Sequence, residues 1–148
     1  MENRIVRKST SLEKVREQIM TFACGAHDFG VELDEFDPDI SWHAVFLVHF
    51  RGSGRQERLL CRAEKGEHHV RFWVEATVDE ETWQDRLDGM LNETSRFDVA
   101  LKSVRIQGKG KRLVRLSTRA WMPNFSQRIF GLTFSNLMDC KAIFDESF

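Results

Sequence analysis

Residues 91–103, LNETSRFDVALKS, decide how this chain is organised. A segment with helical spacing of apolar residues ends at Leu91, the polar residues NETSR follow, and a strand-like segment begins at Phe97. The polar residues could form a linker between two domains, a catalytic loop or a corner within one fold. Because no shift in composition marks a boundary, we predict a corner, and a single α+β domain over residues 1–148 with a lead-in at 1–9.

Helical periodicity occurs at three places along the chain. The first helix is predicted to begin near Thr10, whose spacing to Glu13 is that of a capping box. The second follows Asp79 and has two glutamates in its first turn, where the helix dipole favours negative charge. The third follows Pro123 and has apolar side chains on two sides, which is too broad for one buried stripe.

The breadth of this third apolar surface leaves two interpretations open. The helix is either sandwiched within the monomer or packed on a second subunit. We expect the second arrangement, which makes the protein a homodimer. The candidate interface residues are Ile129, Leu132, Phe134, Leu137 and Met138.

Alternation of apolar residues predicts five strands. The segments SWHAVFLVHFR, QERLLCRAE and HHVRFWVEAT form a meander with short turns, and residues 97–107 and 111–122 form a hairpin turned by GKG. The alternation slips near Lys102, which predicts a β-bulge there. The acidic segment VELDEFDPDIS contains Pro38 and is predicted to be an irregular connection, apart from a short edge strand at its start. The order α-β-β-β-α-β-β-α indicates a five-stranded antiparallel sheet with helices packed on it.

The bulk composition excludes several classes of protein. Apolar residues make up 41% and charged residues 30% of the chain, and the formal charge is −1, so no global field attracts nucleic acid or an anionic membrane. No apolar segment is long enough to span a membrane, and the charged start lacks a signal core, so we expect a cytoplasmic protein. The scattered cysteines Cys24, Cys61 and Cys140 are expected to be reduced thiols.

The sequence contains no motif that indicates a reaction. His43 and His49 would lie about 20 Å apart on one strand, and no histidine or cysteine pair has zinc spacing. The segment GKGKR, at 108–112, lies between strands rather than before a helix, so it indicates a hairpin turn and not a phosphate loop. No serine has a GxSxG context. We therefore expect no enzymatic activity, no metal and no cofactor.

One surface is less ordinary, namely the outer face of the predicted sheet. If the apolar alternates face the helices, this face carries basic side chains with tryptophans between them. The candidate partner-binding residues are Arg58, Arg62, Arg71, Trp73, Arg115, Arg119 and Trp121, with His43, His49 and His69 on the same face. Such a face can bind single-stranded nucleic acid, although Glu57, Glu64 and Glu75 could neutralise it in cross-strand pairs.

From Met90 onward the sequence resembles the C-terminal half of the YbjN-like family of bacterial sensory-transduction regulators. The resemblance is carried by Leu91, Asn92, Arg96, Phe97 and Ala100, and then by the RLVRL strand and the apolar final helix. It implies a fold similar to that of type III secretion chaperones, which are small α/β homodimers that hold extended segments of partner proteins. The family offers no catalytic residues.

These observations together predict a non-enzymatic, chaperone-like or regulatory protein that binds another protein. The identity of that partner does not follow from the sequence. A nucleic-acid-binding module that uses the basic, tryptophan-containing sheet face is the alternative.

Overall fold

The computed structural model describes residues 11–23 and 25–148. It contains three α-helices, α1 (Ser11–Met20), α2 (Glu80–Arg96) and α3 (Gln127–Ser147), within the described residues. It also contains six strands there, β1 (His27–Asp37), β2 (Ser41–Phe50), β3 (Gln56–Glu64), β4 (His69–Asp79), β5 (Ala100–Ile106) and β6 (Lys111–Trp121). The predicted lead-in at 1–9, the predicted cap at Thr10 and the thiol of Cys24 lie outside the described residues.

The strands form one antiparallel sheet in the order β1-β2-β3-β4-β6-β5. The α+β class and the antiparallel sheet are confirmed, but the prediction of five strands was wrong. The additional strand is β1, which the acidic composition and Pro38 had suggested was mostly irregular. Pro38 lies in the turn after β1 and removes no hydrogen bond from the sheet.

Alternation along the strands separates an inner face from an outer face. In β2, for example, Trp42, Ala44, Phe46 and Val48 are buried, whereas the residues between them are more exposed. The inner side chains join residues of all three helices in one hydrophobic core. The helices therefore pack on the inner face of the sheet, and no helix of the described residues covers the outer face.

The corner predicted between α2 and β5 exists, but it is shorter and lies later in the chain. NETSR continues the helix as far as Arg96, and Phe97 and Asp98 form the turn that leads into β5. Asp98 has a left-handed backbone (φ 57°), which a short polar side chain tolerates better than a bulky one. Because α2 and β5 pack on the same core, the stretch is not a flexible linker between separate units.

The β-bulge predicted at Lys102 is absent from the described strand, since β5 pairs with β6 in continuous register from Ala100 to Ile106. The apparent slip arose because Val104 and Ile106 share the outer face with Lys102, where Val104 is 59% exposed, whereas Val99 and Leu101 face the core. A shift of register does occur in the sheet, but it lies in β1 between Val31 and Leu33. The glycines of the GKG turn, Gly108 and Gly110, have positive φ values of 74° and 61°, as the hairpin requires.

Helix α3 corrects the predicted dimer interface. Phe134, Leu137 and Met138 are each at most 3% exposed within the single chain, and Ile129 packs partly buried against the same core. Only Leu132, at 61% exposed, presents a large apolar side chain to solvent among the five predicted residues. The sequence overestimated the exposed surface because α1, α2 and the sheet surround this helix on several sides. The homodimer stays a prediction, without the support of this helix.

Candidate functional site

The pairing register places all of the predicted basic and aromatic residues on the outer face of the sheet. In the register of the strands, Arg62 lies opposite Arg71, and Arg71 lies opposite Arg119. Trp73 follows Arg71 by two residues on β4 and therefore lies on the same face. Arg58 and Trp121 lie on this face too, toward its margins. The sequence therefore predicted the composition of the outer face correctly.

Carboxylates neutralise part of the positive charge on this face. Arg115 donates to Glu75 with nitrogen–oxygen distances of 2.8 and 3.1 Å, and Arg62 donates to Glu64 at 3.0 Å. Arg58 lies outside the centre of the face and pairs with Glu32 of β1 at 2.8 Å. These exposed pairs each contribute about 0–1 kcal/mol to stability, so a charged ligand could exchange for either partner at little cost.

Glu57 does not belong to this neutralising set, contrary to expectation. Its side chain is 8% exposed and pairs with Arg55 at 3.0 Å and with the buried amine of Lys141 at 3.2 Å. Lys141 is on α3, which packs on the inner face of the sheet. The cluster of Arg55, Glu57 and Lys141 therefore lies on the side of the core and not on the outer face.

A groove of about 1010 Å³ crosses the outer face. Its lining residues come from five strands, β2, β3, β4, β6 and β5, with one to four residues from each strand, and from the turn at Asp98 and Val99. The groove therefore runs across the strands rather than along them. Five of the seven predicted partner-binding residues line it, namely Arg62, Arg71, Trp73, Arg115 and Arg119.

Trp73 forms the centre of the groove floor. Its indole Nε1–H is buried and has no hydrogen-bond acceptor among the described residues. The guanidinium of Arg115 lies 4.9 Å from the centre of the indole ring, in cation–π contact. A buried donor without an acceptor costs about 1–3 kcal/mol, and because Nε1 has almost no exposed surface, a ligand in the groove meets the indole ring rather than this N–H.

Two cations of the groove have no partner among the described residues. Neither Arg119 nor Lys102 forms a side-chain ion pair or hydrogen bond with a described residue, and both are exposed. The groove contains five Lys or Arg side chains against three carboxylates, those of Glu64, Glu75 and Asp98, so its net charge is +2 with histidine neutral. The unpaired cations make the groove attractive to an anionic partner.

Trp121 lies beyond one flank of the groove, next to the row of Arg71 and Arg119, and is 49% exposed. The ring of His68 stacks on it with centroids 5.3 Å apart, and His69 meets it edge-on at 5.2 Å. This aromatic cluster extends the basic and aromatic surface of the outer face, but it does not line the groove.

The charge of the whole chain is segregated between the two ends of the sheet. Residues 17–50, which include β1 and β2, contain seven acidic residues and no lysine or arginine. Residues 99–138, which include β5 and β6, contain eight lysines and arginines and no acidic residue. The net charge of −1 is therefore the sum of an acidic end and a basic end. The positions of the charged residues along the sequence show this segregation directly.

The sequence interpretation missed several groove residues, above all Lys102. Because a bulge was predicted at this residue, its side chain was not assigned to a face. In the structure Lys102 pairs with Arg115 in the register of β5 and β6 and so belongs to the outer face. Leu60, Ser117 and Ala100 were also missed, since small and apolar residues on an outer face carry no signal of their own.

Neither a metal-ligating cluster nor an accessible thiol lies at the groove among the described residues. Within residues 11–23 and 25–148, no group of three or more histidine, cysteine, aspartate or glutamate side chains is arranged to hold a metal ion. The two described thiols, Cys61 and Cys140, are buried in the core, away from the groove. Among the described helices, none has the length and apolar character required to cross a membrane.

Comparison with known proteins informs the fold alone. No family model matches the sequence, and no curated protein matches it. The crystal structure of an uncharacterized protein from Methanothermobacter thermautotrophicus is similar, with a TM-score of 0.59 over 89% of this chain and 92% of that one. The two sequences are 10% identical, so the similarity supports a shared architecture and carries no function. The resemblance to the YbjN-like family stays a prediction.

Proposed function

We propose that this protein is a non-enzymatic module that binds a segment of another protein in the groove on the outer face of its sheet. The observation that carries the proposal is that all three helices pack on one face, which leaves a basic, tryptophan-floored groove on the other. The chaperone-like fold and role implied by the YbjN-like resemblance agree with such a function and are part of the proposal.

The chemistry of the groove is that of a protein-binding surface. Tryptophan and arginine are the residues most enriched among interface residues that dominate affinity, and here Trp73 is surrounded by Arg62, Arg71, Arg115 and Arg119. Most of these arginines are held by neighbouring carboxylates, so they are ordered before a partner arrives and less entropy is lost on binding.

Site-specific photo-crosslinking tests the proposal. A photoreactive phenylalanine analogue at Ser117, within the groove, is expected to capture the same protein from an extract of the source organism as the analogue at Lys102. The matched control is the analogue at Asn136, which is exposed on α3 on the opposite side of the sheet. Capture by all three positions alike, or by none, would contradict a groove-specific partner.

Single-stranded nucleic acid is the second candidate, because Trp121 is exposed and lies on the same basic face. It predicts nuclease-sensitive crosslinks from Ser117 and an affinity for oligonucleotides that falls steeply with salt. Among the residues that line the groove, only Trp73 and His43 have aromatic rings, so successive bases find few rings to stack on, and this favours the protein partner.

A further inference from the structure

The register of the strands arranges the groove residues in rows that cross the sheet. The middle row is mostly uncharged and consists of Leu60, Trp73, Ser117 and Ala100, each paired with the next across neighbouring strands. A ligand lying along the groove would therefore contact an apolar and small-residue floor with the indole ring of Trp73 at its centre.

Charged rows flank this floor on both sides. One row consists of His43, Arg62, Arg71 and Arg119, and the other of Glu75, Arg115 and Lys102. The two unpaired cations, Arg119 and Lys102, thus belong to opposite flanks. A ligand is expected to carry negative charge along both of its sides and apolar groups toward the floor.

The dimensions of the groove match an α-helix. From β2 to β5 there are four inter-strand spacings of about 4.8 Å, which gives a length of about 19 Å, and the flanking rows lie four residues or about 13 Å apart along the strands. A helix with its side chains is about 10–12 Å wide, and about 13 residues span 19 Å at 1.5 Å per residue.

Backbone hydrogen bonding also favours a helix over an extended segment. The sheet offers side chains, not backbone groups, to a chain that crosses its face. An extended segment along the groove would bury N–H and C=O groups against Leu60 and Trp73 without partners, at about 1–3 kcal/mol each. A helix satisfies these groups internally.

We propose that the groove binds an acidic amphipathic helix of about 13 residues from the partner protein, laid across the strands. This proposal rests on the proposed function and specifies the partner segment of the same site. The apolar stripe of the helix packs on Leu60 and Trp73. Its carboxylates, on both sides of that stripe, pair with Arg119 on one flank and Lys102 on the other.

Synthetic peptides test the proposal by fluorescence anisotropy. The first peptide has about 14 residues, with leucines at i, i+3, i+4 and i+7 spacing, glutamates on both sides of this stripe, and alanine and glutamine on the remaining face so that like charges do not unfold the helix. The second has lysine in place of every glutamate, and the third is the glutamate peptide with two central residues replaced by proline. We expect the first peptide to bind and the other two to bind at least tenfold more weakly.

Variants of the two unpaired cations provide the specificity test. Arg119→Ala and Lys102→Ala are each expected to weaken binding of the glutamate peptide about two- to fivefold, as for exposed ion pairs. The double variant Arg119→Glu/Lys102→Glu is expected to bind the lysine peptide in preference to the glutamate peptide. Arg128→Ala, an exposed arginine on α3 at the other side of the sheet, is the control and should bind as the unchanged protein does.

The outcomes separate this proposal from the proposed function. Absence of binding by the glutamate peptide, or equal binding by the proline peptide, overturns the helical partner. Crosslinking from Ser117 to one defined protein would then still support a protein-binding groove. Tighter binding of a single-stranded oligonucleotide than of the glutamate peptide, lost in the double variant, would overturn both in favour of nucleic acid.

Discussion

Glu80 illustrates how strongly one carboxylate can be stabilised at a helix start. It accepts hydrogen bonds from Arg112 at 3.0 and 3.1 Å and from Arg105 at 3.0 Å. The hydrogen bond from Arg112 is the largest cause that lowers the pKa of Glu80 from 4.5 to about 2. The sequence placed Glu80 correctly in a first helical turn, but the guanidinium partners come from the distant hairpin strands and could not be read from local sequence.

The shift in pKa predicts how acid affects Glu80. A lowered pKa in the folded protein means that the ionised group stabilises the fold fully above pH 4.5 and loses this effect as the pH falls toward 2. The difference in urea midpoint between the unchanged protein and Glu80→Gln should therefore be constant above pH 5 and should narrow below it. A difference that persists unchanged at pH 2.5 would show that ionisation of Glu80 is not the cause.

The described cysteines are expected to be chemically inert in the folded protein. Burial raises the pKa of the Cys61 thiol well above its usual range and that of Cys140 to about 11. Since the thiolate is the reactive form, iodoacetamide at pH 7.5 should leave both unmodified until denaturant is added. Peptide mapping by mass spectrometry distinguishes them from Cys24. Modification of Cys61 at the rate of a free thiol would show that the core opens readily.

At the scale of elements, the strands with clear alternation were predictable and the edges of the sheet were not. In β2 and β4 one face is buried against the helices, so the apolar period of two is strong. β1 and β5 are the two edge strands, and their burial patterns are irregular because fewer neighbours cover them. Because of that irregularity, β1 was predicted to be mostly irregular and a bulge was predicted at Lys102. Lys102 was therefore not included in the candidate site.

The attachment of α3 to β3 depends on a buried charge cluster that no sequence pattern indicated. Lys141 donates to Asp145 at 2.8 Å, one turn along the helix, and lies 3.2 Å from Glu57. Arg55 also pairs with Glu57 and donates to the carbonyl of Met138 at 3.2 Å. Residues far apart in sequence thus neutralise each other where the helix meets the sheet.

Removing one member of this cluster should be costly. Lys141→Ala leaves the carboxylate of Glu57 buried with Arg55 as its remaining partner, and we expect the free energy of unfolding to fall by about 3 kcal/mol. The double variant Lys141→Met/Glu57→Gln removes both charges and should recover much of that loss. Urea denaturation measures both. A loss below about 1 kcal/mol for Lys141→Ala would show that water or Arg55 compensates the charge.

At the scale of the whole molecule, the sequence predicted a larger exposed apolar surface on α3 than the structure has, because other elements of the same chain cover this helix. A helix that is apolar on two sides suggests a second subunit only if one chain cannot cover it. Here the sheet, α1 and α2 cover Phe134, Leu137 and Met138. More of the candidate site was predictable, because alternation along a strand tells which residues lie on the outer face. The groove itself was not predictable, because it depends on how five strands lie side by side.

The segregation of acidic and basic residues between the two ends of the sheet has a consequence for behaviour in solution. We expect it to give the molecule an electric dipole moment although its net charge is −1, reduced in part by ion pairs at both ends. Near the isoelectric point of about 6.5, opposite ends of neighbouring molecules should attract, and dissolved ions should weaken that attraction. Solubility at pH 6.5 should therefore rise when sodium chloride is added to a salt-free solution, a salting-in effect that light scattering can follow directly.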